Sequence, residues 1–396
     1  MAAMPSVLVV GAGVFGAAAA SELRRRGWTV TVIDPGPLPH PLAASTDISK
    51  ALRMEYGPDE RYMALMEQAF RGWREWARAW SDAGQASLFH ETGVLVASRH
   101  PMRSGGFEHD SWQLLLRRGH HPERFDAQSL AHRFPAWSTG AYVDGFYHGV
   151  GGFAESGRVV EWLLREAERA GVRIVTGRRA MALIERGGRV VGVEDETRDA
   201  HTADHVVVAA GAWTGKLLGF QHEIRATGHP VLHIRPRDPA SFQAERFPVF
   251  MADVSRTGLY GFPINREGVV KVALHDEGVE LDPDAPRVVT PAHEERMRAR
   301  LATALPGLAN GEIVYRRLCL YEDTQDGDFW IARDPGREGL TVASGGSGHG
   351  FKFAPVLGAI IADVVEGRAH PLTDKFRWRP EVRLTTAMEA ARFHGE

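Results

Sequence analysis

The chain has 396 residues, of which 44% are apolar and 24% charged, with a formal net charge of -3, the proportions of an ordinary globular protein. Collagen-like, disordered and nucleic-acid-coating classes are excluded, and the length predicts about two to three domains at roughly 150 residues each. One cysteine, Cys319, rules out an intrachain disulfide and fits a reducing compartment, and the eighteen histidines show no metal-ligand spacing, so no metal is expected.

The segment from Val7 to Ala20 is apolar or Gly throughout. It is shorter than the ~18 residues of a membrane span, no Lys or Arg precedes it, and its glycines are regularly placed. A cytoplasmic protein with no membrane or nucleic-acid partner is therefore expected. Within it, Val7-Leu8-Val9-Val10 reads as a parallel strand buried on both faces, followed by the turn GAGVFG. Phe15, Ala18, Ala19, Glu22 and Leu23 then recur at helical spacing, Arg24 to Arg26 complement the dipole, and Gly27 stops the helix.

A second strand, Thr29 to Ile33, ends at Asp34. Gly11, Gly13 and Gly16 thus sit in a β-α-β unit closed by an acid eighteen residues after the last glycine. The first glycine allows a tight turn, the second lets backbone approach a pyrophosphate, and the third lets helix and strand pack closely. The phosphates meet the helix N-terminus and Asp34 accepts from a ribose hydroxyl. This pattern predicts a dinucleotide site without separating NAD from FAD.

Leu65, Ala69, Trp73, Trp76 and Trp80 form a stripe at helical spacing, read as core packing. Arg158 to Ala170 predicts a helix ended by Gly171, followed by a strand at Val172 to Val175. Met181 to Ile184 and Val190 to Val193 flank Gly187-Gly188 as a hairpin. Val206 to Ala210 is a fourth buried strand ending at Gly211. Leu340 to Ala343 is another, followed by the turn GGSGHG and a helix over Ala354 to Glu366.

Between these elements the pattern changes to shorter strands rich in turn residues. The fold class expected is α/β with two domains, a discontinuous Rossmann-like dinucleotide domain carrying an inserted, mostly antiparallel-sheet domain. The boundaries read are 1–85, 146–219 and 319–385 for the first and 86–145 with 220–318 for the second. Only Lys50, Lys216, Lys271, Lys352 and Lys375 are lysine among 47 basic residues. A surviving Lys in such a background marks a place where a compact, titratable ammonium is wanted.

Seven motifs in order carry a resemblance to a known family: GAGVFG with Asp34, STDISKALRMEYG at 45–57, VVVAAGAWT at 206–214, LYGFP at 259–263, KVALH at 271–275, CLYEDTQDGDFWIARDP at 319–335 and SGGSGHGFKFAPVLG at 344–358. The chain resembles, essentially end to end, the monomeric sarcosine oxidase and fructosyl-amino-acid oxidase group of the D-amino-acid-oxidase-like FAD enzymes. The resemblance implies FAD rather than NAD, an amino-acid substrate oxidised at the carbon next to nitrogen, molecular oxygen as acceptor, and a monomer. It makes the first domain the FAD-binding one and the second the substrate domain.

The family's residues carry over by motif. The resemblance implies a cofactor cradle of Gly11, Gly13, Val14, Phe15, Gly16, Asp34, Ser45, Thr46, Lys50, Arg53, Gly211, Trp213, Gly346, Gly348, His349, Gly350 and Lys352. Cys319 matches the cysteine that holds the flavin covalently. Lys271 matches a lysine near flavin N5 that promotes reaction with oxygen; in GVVKVALH, Val270, Val272 and Leu274 would share one strand face, with Lys271, Ala273 and His275 on the other. Arg53 and Lys352 match the pair that binds the substrate carboxylate, and Tyr260 and His275 match residues on the substrate side.

One departure concerns the substrate. Ser45-Thr46-Asp47 followed by Lys50 resembles the fructosyl-amino-acid oxidases more than the sarcosine oxidases, which implies a larger or more polar N-substituent; Asp47 and Lys50 also read as an ion pair beside the flavin. The alternatives carried forward are an oxidase or dehydrogenase of a cyclic or primary D-amino acid on the same scaffold, and a flavin-binding protein without turnover.

Overall fold

In the computed structural model, which describes residues 4–381, the apolar run Ser6–Val10 pairs in parallel with Thr29–Asp34 on one side and His205–Val208 on the other. The outer end of the expected last segment, 382–385, lies outside the described residues. A strand covered on both faces needs no polar alternation, and Val7, Leu8 and Val9 are at most 1% exposed. The sheet continues in the order Trp330–Arg333, Leu340–Ser344, His205–Val208, Ser6–Val10, Thr29–Asp34 and Arg173–Thr176. Trp330–Arg333 joins it antiparallel, and the predicted hairpin forms from Ala180–Arg186 and Arg189–Asp195.

The helix Val14–Arg25 packs against Ala354–Glu366 and Ser156–Arg169. Glycine makes the approach possible: a Cβ on Gly16 would stand 1.9 Å from Gly11 O, and one on Gly358 would stand 2.4 Å from Ala18 O. The basic end of this helix also clasps its neighbours, since Arg26 bonds Glu22, Asp363 and Glu366 while Arg24 donates to Ala170 O. The tryptophan stripe belongs to the helix Glu60–Asp82, with Trp73 and Trp80 buried.

The second large sheet runs in the order Val279–Glu280, Ile224–Arg235, Val270–Leu274, Leu259–Gly261, Val249–Ala252, Val94–Ser98, Asp144–His148, Glu123–Asp126, with Glu312–Thr324 also paired to Ile224–Arg235. Two of its strands are longer than the turn-rich sequence suggests, 12 and 13 residues. Gly228, Pro230 and the pair Arg316-Arg317 interrupt the apolar alternation within them, and each strand takes its length from pairing with the other rather than from its own pattern. Glu312–Thr324 is continuous through position 319. A small sheet of Lys50–Leu52, Gly152–Ala154 and Phe89–His90 fixes the segment from which Lys50 and Arg53 project.

Candidate cofactor cleft and active site

The turns that follow the parallel strands, at 11–14, 34–35, 209–213 and 343–350, enclose a cavity of about 400 Å³. Its position outside the carboxyl ends of parallel strands is where open α/β sheets bind ligands. Gly11, Gly13, Val14, Phe15, Asp34, Ser45, Lys50, Gly211, Trp213, Gly346, Gly348 and Gly350 line it. Ser45 Oγ accepts from Val14 N–H at 3.3 Å, and Asp34 accepts from the backbone N–H of Ala12 and Gly36, each at 2.8 Å.

Five residues of the expected cradle, Gly16, Thr46, Arg53, His349 and Lys352, do not line this cavity. Gly16 is packed under the turn. Thr46 donates its hydroxyl to His40 O and Ala43 O within its own loop. His349 lines a second, smaller cavity of about 60 Å³ instead.

That second cavity joins the first at Lys50, Tyr321, Gly348 and Phe351, which line both. Arg53, Tyr260, His275 and Lys352 meet on it. Arg53 donates to Glu55 O, and its guanidinium stands 5.0 Å from the Tyr56 ring centroid. Lys352 lies in the turn Phe351–Phe353 and donates to Tyr56 Oη at 2.7 Å; its own carbonyl accepts from Trp73 Nε1 at 2.7 Å. Tyr56 Oη also meets His349 Nδ1 at 3.0 Å, and His349 Nε2 reaches Gly327 O at 2.9 Å. Tyr260 Oη is 3.4 Å from Tyr321 Oη, and burial holds the Tyr260 phenol above its ordinary range.

Lys271 and Cys319 lie in the wall behind Lys50, each 1% exposed. Lys271 Nζ is 2.8 Å from Asp47 Oδ2 and donates to Ser49 O, and Asp47 Oδ1 is 3.2 Å from His233 Nε2. Burial pushes the Lys271 ammonium down to about 8 against the pull of Asp47. Burial would raise the Asp47 carboxyl, yet Lys271 and His233 hold it well below its usual range. The expected ion pair is thereby reassigned: Asp47 pairs with Lys271, and Lys50 Nζ points to Cys319 Sγ at 3.9 Å. Burial would raise the thiol, but Lys50 and then Arg317 outweigh it and leave it below its ordinary value.

Sequence reasoning missed Tyr56, His233, Tyr321 and Glu322. Tyr56 and Tyr321 lie inside the motifs at 45–57 and 319–335, where nothing in the local pattern sets them apart. Glu322 carried a signal, an acid directly after the apolar run Leu318 to Tyr321. It is buried, and burial raises its carboxyl to about 7.

Among the described residues no group of three or more His, Cys, Asp or Glu side chains is placed to hold a metal, and no helix is long and apolar enough to cross a membrane. A glycine-lined cleft over a parallel sheet, opening onto a pocket faced by cations, defines an enzyme built around a dinucleotide cofactor. Residues 6–364 match the model of the DAO family, FAD dependent oxidoreductase, and the chain belongs to that family. FAD is accordingly its cofactor. The cleft fits it: Gly13 leaves room beside Ser45, Asp34 faces the cavity, and a buried oxygen of Glu322 has no hydrogen-bond partner.

The chain is 27% identical over 413 residues to L-saccharopine oxidase of Schizosaccharomyces pombe, covering 95% of this chain and 93% of that protein. It is 27% identical over 364 residues to monomeric sarcosine oxidase of Bacillus sp. strain B-0618, covering 90% and 91%. The crystal structure of fructosamine oxidase (Amadoriase II) from Aspergillus fumigatus superposes with a TM-score of 0.83 at 26% identity, covering 99% of this chain and 94% of that one. The α/β two-domain architecture read from the sequence is that of these structures.

Proposed function

We propose that this FAD-dependent oxidoreductase oxidises N-substituted amino acids at the carbon next to nitrogen and passes the electrons to oxygen. The substrate loses a hydride from carbon and a proton from nitrogen; water then splits the resulting carbon-nitrogen double bond into a carbonyl and an amine, and oxygen leaves as hydrogen peroxide. Bound FAD supplies the two-electron acceptor. The observation that carries this reading is the meeting of Arg53 and Lys352 on one cavity that opens into the cofactor cleft.

In this reading Arg53 and Lys352 hold the substrate carboxylate, one as a planar fork and one as a point charge. Tyr260 and His275 shape the amine side of the pocket and orient the carbon-hydrogen bond. Lys271 provides a fixed positive charge for oxygen as it gains electrons, and Cys319 tethers the cofactor. The segments 1–85, 146–219 and 319–385 serve the cofactor, and 86–145 with 220–318 serve the substrate. The protein acts as a cytoplasmic monomer.

Titrating the visible spectrum anaerobically with sarcosine, saccharopine, a fructosyl amino acid, pipecolate, proline and a few D-amino acids tests the reading. Bleaching of the flavin band by a secondary amino acid, reversed by air, is the expected result. Bleaching only by a primary D-amino acid, or no recovery in air over many minutes, would overturn it.

A further inference from the structure

In the strand Glu312–Thr324, alternate residues face opposite ways. Cys319 and Tyr321 pack with Val231 and Ala273, whereas Leu320 packs with Ala212 on the other side. Glu322 falls on the side of Leu320 and lines the larger cavity. It is 8% exposed. Its Oε1 accepts from Gly346 N–H at 3.1 Å, and its Oε2 is buried without a hydrogen-bond partner.

The space around this carboxyl is kept by glycine. A Cβ on Gly211 would stand 3.0 Å from Oε2, and one on Gly346 would stand 2.8 Å from Oε1. Native structures seldom leave a buried polar atom unpaired, because the lost hydration is not replaced. An acceptor aimed into a ligand cleft therefore points to a donor on the ligand.

The position identifies the donor. Tyr321, the preceding residue, lines both cavities, whereas Glu322, Phe15, Gly211 and Gly346 line only the larger one. Glu322 thus stands one residue back from the junction where the reacting ring must lie, on the way to the phosphate turn at Gly13–Val14. The stretch of FAD between ring and phosphates is a polyhydroxylated chain. A carboxylate repels phosphate and accepts from hydroxyls.

We propose that Glu322 Oε2 accepts a hydrogen bond from a ribityl hydroxyl of FAD, making Glu322 a cofactor-binding residue selective for the polyol chain. The proposal rests on the FAD reading of the cleft.

The test uses the full chain with Cys319→Ala, so that flavin exchanges freely, and compares Glu322, Glu322→Ala and Glu322→Gln. The dissociation constant is read from quenching of flavin fluorescence for FAD and for an analogue whose chain lacks the three secondary hydroxyls. Glu322→Ala should weaken FAD about 10- to 100-fold and leave the analogue within about twofold of the parent, while Glu322→Gln, whose amide oxygen still accepts, retains most of the affinity. Equal weakening for both flavins would reduce Glu322 to a structural wall, and unchanged FAD binding would remove the contact. Failure of the unmodified chain, with Cys319 in place, to bind FAD at all would overturn the FAD reading itself.

Discussion

Lys271 Nζ lies 2.8 Å from Asp47 Oδ2 with both side chains at most 2% exposed. Burial brings the ammonium down to about 8 while Asp47 supports it, so the charge is present below that pH and lost above it. Under the proposed function, reoxidation by oxygen should be fast below about pH 8 and fall as pH rises through that value. Lys271→Met should slow it on the order of 100-fold and change anaerobic reduction by substrate far less. Stopped-flow measurement of the two half-reactions separates these, and equal losses in both would deny Lys271 an oxygen-specific role.

Asp47 raises the affinity of Lys271 for its proton. Replacing it with Asn removes that support while keeping the shape, so Lys271 titrates lower. The descending limb of the reoxidation profile in Asp47→Asn should therefore move to lower pH. An unmoved limb would mean that another group controls it.

Arg53 and Lys352 are both set against Tyr56, one over its ring and one at its hydroxyl. Truncating one member of a buried carboxylate clamp leaves the anion poorly paired and costs several kcal/mol in comparable complexes. Arg53→Met or Lys352→Met should raise the dissociation constant of a non-oxidisable carboxylate analogue on the order of 100-fold, and Arg53→Lys should not restore the loss because it lacks the fork. A matched neutral amine should bind all three proteins alike. If the neutral ligand weakens as much as the anion, the clamp assignment is wrong.

The parallel half of the fold was legible because buried strands, glycine turns and a closing acid are local patterns, and Val7 to Asp34 contains all of them. The antiparallel half was less so, since Ile224–Arg235 and Glu312–Thr324 take their length from pairing with each other. Arg53, Lys352, Tyr260 and His275 line one cavity, a meeting that no local pattern of charge or spacing announces because the four come from separate stretches of the chain. Asp47 meeting Lys271 was not readable, because the two are far apart in the chain and are joined only when Val270–Leu274 meets the 47–49 segment, where Ser49 O also accepts from Lys271 Nζ. Glu322 looked like any charged residue until its neighbours proved to be Gly211 and Gly346.

Gly358 brings the helix Ala354–Glu366 against Ala18 of the dinucleotide-binding helix, where a Cβ would stand 2.4 Å from the Ala18 carbonyl oxygen. Backbone cannot yield as a flexible side chain does, so even Gly358→Ala forces the helices apart. Overpacking of this kind costs typically about 1–3 kcal/mol, and it acts directly on the helix that carries the phosphate turn. A lower melting temperature with weaker flavin retention is expected. Gly27, with nothing within 4 Å of its Cβ position, is unsuitable as the comparison because its φ is +93°; Gly157→Ala, whose Cβ would meet Asp47 O at 3.5 Å, should melt close to the parent. Similar losses in both variants would mean that the contact at Ala18 is not the cause.

Cys319 Sγ lies 3.9 Å from Lys50 Nζ, and Lys50 does most to lower a thiol that burial alone would raise. A thiolate is the reactive form of cysteine, so Lys50 should govern how fast the proposed covalent link to FAD forms. Protein prepared without flavin is mixed with FAD, precipitated with acid at intervals, and the flavin in the pellet is counted. Cys319→Ser should leave the pellet colourless. Lys50→Gln should slow attachment roughly tenfold at neutral pH, about one unit of thiol pKa, and raising the pH should recover the rate as the thiolate fraction recovers. A Lys50→Gln protein that stays slow at every pH would show that Lys50 positions the ring rather than tuning the thiol, and flavin found wholly in the supernatant of the unmodified protein would remove the covalent link altogether.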